Sequence, residues 1–390
     1  MGQIATLDPY SPAASDLTYA LARPIYPSLF RLLPDGTMEP SLAESLESAG
    51  GSAIVEMRPA SWSDGRPITA RDVAASIRRA RPPSGFAGIA STRVLGPRRI
   101  ELRGGVDDWP RALATVALVM PEGKPAPVAG GPFGLRRHRR GLELVYAPNL
   151  AHWGPEPFLD RIVVRFVQGL DLLLELLERK RLDAALVPSS VNIQDRLEEV
   201  GIAHQEALGW ESIRLDLAGG TDRPTARAVW GSFARAPIES GFVRDLGRVS
   251  DTLRPSPGPS GADGAFSDLR PRGVPGGASL ALAAPVGDEL LELVQRALLE
   301  QLSGAGFDVE LLGVDPLVLL RGDRWTTVAR AAGAPGGGDP PGAVTRPGAL
   351  PLFHVATVHA WREGVHGLQV NPTFDGPLWN AEEWWLQPEG

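Results

Sequence analysis

At 390 residues the chain is long enough for two or three domains, each with a core of its own. It is 43% hydrophobic and 22% charged, an ordinary globular balance, and its net charge of −7 argues against a basic nucleic-acid footprint. There is no cysteine, which excludes disulfides, thiolate metal sites, a Cys nucleophile and a lipid-bearing Cys, and no run reaches the ~18 apolar residues of a spanning helix.

Residues 1–40 predict a short strand, a turn at Pro9 and a helix over about 17–29. Asp16 stands where an N-cap belongs, and Pro24 and Pro27 interrupt the second half of that helix. Residues 53–58 alternate like a half-buried strand. The stretch 61–73 then reads as a turn feeding a helix. Asp64-Gly65 is a tight-turn pair, and Thr69 with Asp72 forms a capping-box pattern for a helix over 70–81. A helix over 109–117 and strands over 99–103 and 142–146 follow, with the basic cluster 136–140 as a solvated bend between strands.

The clearest α/β pattern lies further on. Residues 161–166 read as a buried strand, 170–181 as an amphipathic helix with Leu173, Leu176 and Leu177 at helical spacing, and 183–187 as the next strand. Short joins between them imply a parallel βαβ unit. Strands over 205–207 and 213–217 come next, and a helix begins near Arg223. A second βαβ unit is predicted from the strand 279–283, the helix 288–302 and the strand 307–312. That helix carries Leu290, Val294, Leu298 and Leu302 on one stripe. Residues 254–277 and 333–348, rich in Pro and Gly, are expected to be flexible. A strand over 355–361 and a tryptophan-rich tail close the chain, the tail reading as a docking anchor.

Several of these stretches together resemble one family. Residues 61–73 resemble the signature W-x-D-G-x-P-x-T-A-x-D-V of the large solute-binding proteins of ABC importers, the dipeptide-, oligopeptide- and nickel-binding class. Leu7-Asp8-Pro9, Leu42-Ala43-Glu44-Ser45 and Gly131-Pro132-Phe133 follow the same pattern in order. So do Asn149, Trp153-Gly154 and Phe158-Leu159-Asp160-Arg161-Ile162.

The resemblance implies an α/β, two-lobed periplasmic-binding-protein-like fold with an extra α+β subdomain. Its expected division is 1–40, 151–222 and 351–390 for lobe one, 41–150 for the accessory subdomain and 223–350 for a shortened lobe two. It also implies a monomer that holds a peptide or other small solute between its lobes and delivers it to a membrane permease, with no cofactor, no nucleic-acid partner and no resident metal. Ligand contacts carry over to Ser15, Asp16, Leu17 and Thr18, with capping as the competing role for Asp16. They also carry over to the cleft wall at Trp210, Glu211 and Arg214 and to Phe353. The location implied is extracytoplasmic, although the start Met1-Gly2-Gln3-Ile4 shows no basic or apolar signal region. The stretch 321–349 is much shorter than its family counterpart. A sensor or a non-binding relative built on the same fold is the alternative.

No catalytic constellation emerges. His152, His204, His354, His359 and His366 are scattered, and no H-E-x-x-H, G-x-S-x-G or phosphate-cradling loop is present. The chain is expected not to be an enzyme.

Overall fold

The structure is a computed structural model, described over residues 6–11, 16–79, 89–106, 108–116, 118–123, 128–187, 193–232, 247–249, 278–286, 289–314, 325–332, 349–371, 373 and 375–388. Ser15 and the stretches 254–277 and 333–348 lie outside the described residues, as do residues 1–5; residues 6–8, the described part of the stretch expected as a first strand, form none.

The first body of packing is built from short strands and helices. The helix Asp16–Ala22 ends well before residue 29, because a residue that precedes proline, here Arg23 before Pro24, is biased out of the helical region. The hairpin strands Phe30–Leu32 and Met38–Pro40 pair antiparallel. A four-stranded sheet takes the strands Ala43–Ala49, Ser52–Met57, Arg99–Gly104 and Ile89–Val94 in that spatial order.

The turn-and-cap stretch docks the helix Ala70–Arg79 beside that sheet. Gly65 takes φ +84 in the turn, and the wholly buried Trp62 accepts the Gly65 N–H on its carbonyl. Asp72 accepts from the Thr69 N–H at 2.8 Å, the Thr69 hydroxyl at 2.9 Å and the Glu122 N–H at 2.8 Å. One carboxylate therefore caps the helix and ties down a distant loop.

A three-stranded antiparallel sheet, Phe133–Arg139, Glu143–Pro148 and Ile162–Arg165, completes this body. The basic cluster lies mostly on its first strand, with only Arg140 in the turn. All these elements share one core, with Trp62, Phe133 and Tyr146 wholly buried. Leu378 and Ala381 of the tail enter the same core, and Trp384 packs against it, as a docking anchor requires.

The second body is a seven-stranded sheet. Its spine is a pair of long antiparallel strands, Ala203–Asp216 and Ala349–Trp361. The predicted 205–207 and 213–217 are one strand. The sheet brings Ala184–Val187 and Ala203–Asp216 together with Ser279–Pro285, Asp308–Val314 and Thr326–Ala332. Strands expected in different lobes thus belong to one hydrogen-bonded sheet, while segments expected as lobe one and as accessory subdomain share the first core.

The later βαβ unit is present as predicted. Ser279–Pro285 and Asp308–Val314 pair parallel through the helix Glu289–Gly304. Leu291, Val294, Ala297, Leu298 and Leu302 bury that helix; the Leu290 side chain lies outside the described residues. Gln295, also buried, donates to the carbonyls of Leu282 at 2.6 Å and Leu312 at 3.0 Å, stitching the helix to both strands.

The earlier unit is a correction. Ile162–Arg165 pairs antiparallel with Glu143–Pro148 in the first body, whereas Ala184–Val187 pairs antiparallel with Ala349–Trp361 in the second. The helix Leu170–Glu178 between them packs in a third, smaller core with Val187, Leu197 and Val358. The chain crosses from one body to the other there.

Candidate functional site

The family-derived contact residues, Ser15 apart, fall on three elements. Asp16, Leu17 and Thr18 begin the short helix of the first body, where Thr18 is fully buried and Leu17 is half-buried against the core. Trp210, Glu211, Arg214 and Phe353 lie on the paired spine strands of the second body. Ile213 sits opposite Phe353, and Arg214 sits opposite Pro351. Of Asp16, Trp210, Glu211 and Phe353, only the backbone is described.

The register of those strands breaks at the candidate residues. Leu208 pairs with Ala356 and Ser212 with His354, so the three residues from Gly209 to Glu211 face the single Val355. The extra residues form a bulge, a device that bends a strand and re-aims side chains, and one that is common beside binding sites. Gly209 supplies a residue without a side chain at the start of this irregularity. A second irregularity falls between Ile213 and Arg214. The Arg214 guanidinium is held at 2.9 Å by the Asp216 carboxylate, two residues along and on the same face.

A separate cavity of about 430 Å³ opens in the first body, where the tail meets the loops after the first helix. Sequence reasoning missed it. Arg23 forms a buried ion pair with Asp375 and donates to the Ala114 carbonyl at 3.2 Å. Burial, then repulsion from Arg31, pulls the Arg23 guanidinium down to about 9, so it stays charged at neutral pH beside its carboxylate. Asp375 also accepts from the Leu32 N–H at 2.8 Å. Arg31 is gripped by Glu382 at 2.8 Å and Glu39 at 3.2 Å, with its guanidinium carbon 5.9 Å from the centre of the Trp379 ring.

His152, from the N-x-x-H-W-G stretch, sits at the edge with Nδ1 3.1 Å from the Gly130 carbonyl oxygen. Burial pushes this imidazole down to about 4; the Gly130 contact opposes the shift and the charges of Arg31 and Arg58 add to it. Asn149 donates to the Gly131 carbonyl at 2.9 Å, fixing the Gly-Pro-Phe turn that forms one wall. These motif residues are structural pins.

Among the described residues no group of His, Asp and Glu is placed to hold a metal ion, and no helix is long and apolar enough to cross a membrane.

A family model described as bacterial extracellular solute-binding proteins, family 5 Middle, matches residues 37–343. The sequence matches no curated protein. Several solved structures share the fold. The PBP AgaA of A. tumefaciens R10, in complex with agropinic acid, superposes with a TM-score of 0.78 at 18% identity, covering 100% of this chain and 98% of that one. The oligopeptide-binding protein AppA of Bacillus subtilis, in complex with a nonapeptide, gives 0.73 at 15%, covering 96% and 95%. NikA of Brucella suis, in complex with Fe(III)-EDTA, gives 0.73 at 18%, covering 98% of both. At such identities the likeness is one of fold, and the fold is the α/β two-lobed architecture of periplasmic binding proteins.

Proposed function

The chain belongs to the bacterial extracellular solute-binding proteins of family 5, and from that premise we propose that it captures a peptide-like or other small polar solute between its two lobes and hands it to the permease of an ABC importer. The observation that carries this reading is the family match across residues 37–343, which spans elements of both packing bodies.

We assign the lobes by packing. The first lobe comprises the residues around the first core, roughly 7–166 with the tail 369–388. The second is built on the seven-stranded sheet, with the crossings near 167–169 and 362–368. Those crossings are the hinge, since a few residues at element ends absorb the dihedral changes of closure. Gly169 at φ +85 and Gly367 at φ +77 stand there, and both take conformations that other residues adopt with strain.

The second lobe contributes Trp210, Glu211, Arg214 and Phe353, and the first contributes Ser15, Asp16, Leu17 and Thr18. The bulge at Gly209–Glu211 supports the second lobe's group, because a stretch out of register with Ala349–Trp361 frees backbone groups on that edge, although Glu211 pairs with Ala332 on the other. Thr18, being fully buried, acts through its backbone or by positioning its neighbours. The neighbours' ligands (a nonapeptide, agropinic acid, a metal–EDTA complex) set the range of solutes to test. The protein acts as an extracytoplasmic, non-catalytic monomer.

The test is isothermal titration with the solute that binds wild type. Trp210→Ala and Glu211→Ala should each weaken affinity by about tenfold or more, as truncations of hot-spot residues do, with circular dichroism unchanged. Wild-type affinity in both variants would remove the bulge from the site.

A further inference from the structure

We propose that the arginine-lined cavity of the first body is a second ligand site, and that it takes a small molecule bearing one carboxylate. This goes beyond the solute cleft, because its walls come from the first body and the tail, away from the spine strands that carry Trp210 and Phe353.

The inference rests on the polar atoms left over around the cavity. Ser28 is 2% exposed, and its hydroxyl has no partner. The Nε–H groups of Arg31 and Arg58 are buried and also lack partners. All three have a hydrogen to donate. A buried polar group left unpaired is costly, and all three belong to side chains that line this one cavity.

Arg58 is the least satisfied cation. The only hydrogen bond of its guanidinium among the described residues is a long one, 3.5 Å to the Ala43 carbonyl, whereas Arg31 already holds two carboxylates. A carboxylate offers two oxygens that only accept, and a guanidinium grips such a pair strongly. A neutral amide would bring surplus hydrogens. A phosphate dianion brings a second charge beside Glu39, Asp375 and Glu382 and is repelled more strongly than a monocarboxylate. The volume of about 430 Å³ and the rings of Trp153 and Trp379 give an apolar body a place to lie.

The experiment titrates the full chain with benzoate, benzamide and inorganic phosphate, read by tryptophan fluorescence and thermal shift. Benzoate should give a saturable signal and raise Tm, with benzamide and phosphate at least about tenfold weaker. Arg58→Gln should lower benzoate affinity about tenfold, and Ser28→Ala several-fold, both with native circular dichroism. If Arg58→Gln does not fold, Ser28→Ala decides the matter. The absence of a saturable benzoate signal on folded wild type, which is the result for a cavity filled by water, would overturn the proposal. Equal binding of benzamide or phosphate would overturn it too, as would unchanged affinity in the variants.

Discussion

An ion pair as deep as Arg23–Asp375, with side chains 8% and 1% exposed, is more sensitive to losing one partner than to losing both. Asp375→Ala leaves a buried guanidinium without its counter-charge and should cost about 3–5 kcal/mol in urea unfolding. The double variant Arg23→Met with Asp375→Leu should recover most of that loss. If the double variant is as unstable as the single, the pair is not the reason.

Gly131 makes a sharper steric demand. A Cβ there would lie 2.4 Å from the Pro24 carbonyl oxygen, so Gly131→Ala should destabilise by about 2 kcal/mol or more. A neutral result would mean that the loop can move aside. Two histidines set a pH dependence. Burial holds both His152 and His359 down to about 4 in the native state. An unfolded histidine takes up its proton near 6.5, so between these values the unfolded chain binds more protons. Stability present above pH 6.5 should therefore fall as pH drops toward 4, and His359→Gln should flatten part of that slope. NMR titration of the native imidazoles near 6.5 would contradict this.

At this scale the sequence was readable where residues act locally. Thr69 and Asp72 announced their cap. Arg23, Arg31, Arg58 and Asp375 gave no such signal, since the last stands some 317–352 positions from the others and meets them only through the fold.

Elements were legible wherever a single face is buried. The helix Glu289–Gly304 buries Val294, Leu298 and Leu302, three of the four residues of its predicted stripe. Leu298→Ala, which removes a fully buried side chain there, should cost about 2–5 kcal/mol. The helix Ala70–Arg79 hangs on one carboxylate. Asp72→Ala strips partners from Thr69 and from the Glu122 N–H, and should cost about 1–3 kcal/mol, more than a simple cap loss.

Pairing was less legible than the elements themselves. The two apparent βαβ units have the same local pattern, yet only Ser279–Pro285 and Asp308–Val314 pair with each other. Ile162–Arg165 instead joins the hairpin that precedes it in sequence, and Ala184–Val187 pairs with residues of Ala349–Trp361 that lie 171–177 positions on. Periodicity reports which face of a strand is buried; it carries no information about the neighbour along the strand's edge.

For the molecule as a whole, the ordered motifs over residues 7–166 pointed to the two-lobed architecture, because signature turns and caps leave a strong local imprint. The division between lobes left a weaker one, since the seven-stranded sheet gathers strands from 184 to 361. The Gly209–Glu211 bulge was likewise hidden, as it exists only in the register of two distant strands.

Solute capture by the whole chain is what a thermal-shift screen reads. The screen holds di- and oligopeptides, nickel–histidine and metal–EDTA complexes, and opine-type acids. A solute at 100 times its Kd should add about 2.7 kcal/mol, a rise in Tm of a few degrees for a chain of this size. A reproducible hit whose shift Trp210→Ala cuts by about half or more is the predicted result. No shift from any solute, on protein that unfolds cooperatively, would contradict solute capture and leave the fold as a scaffold that does not bind.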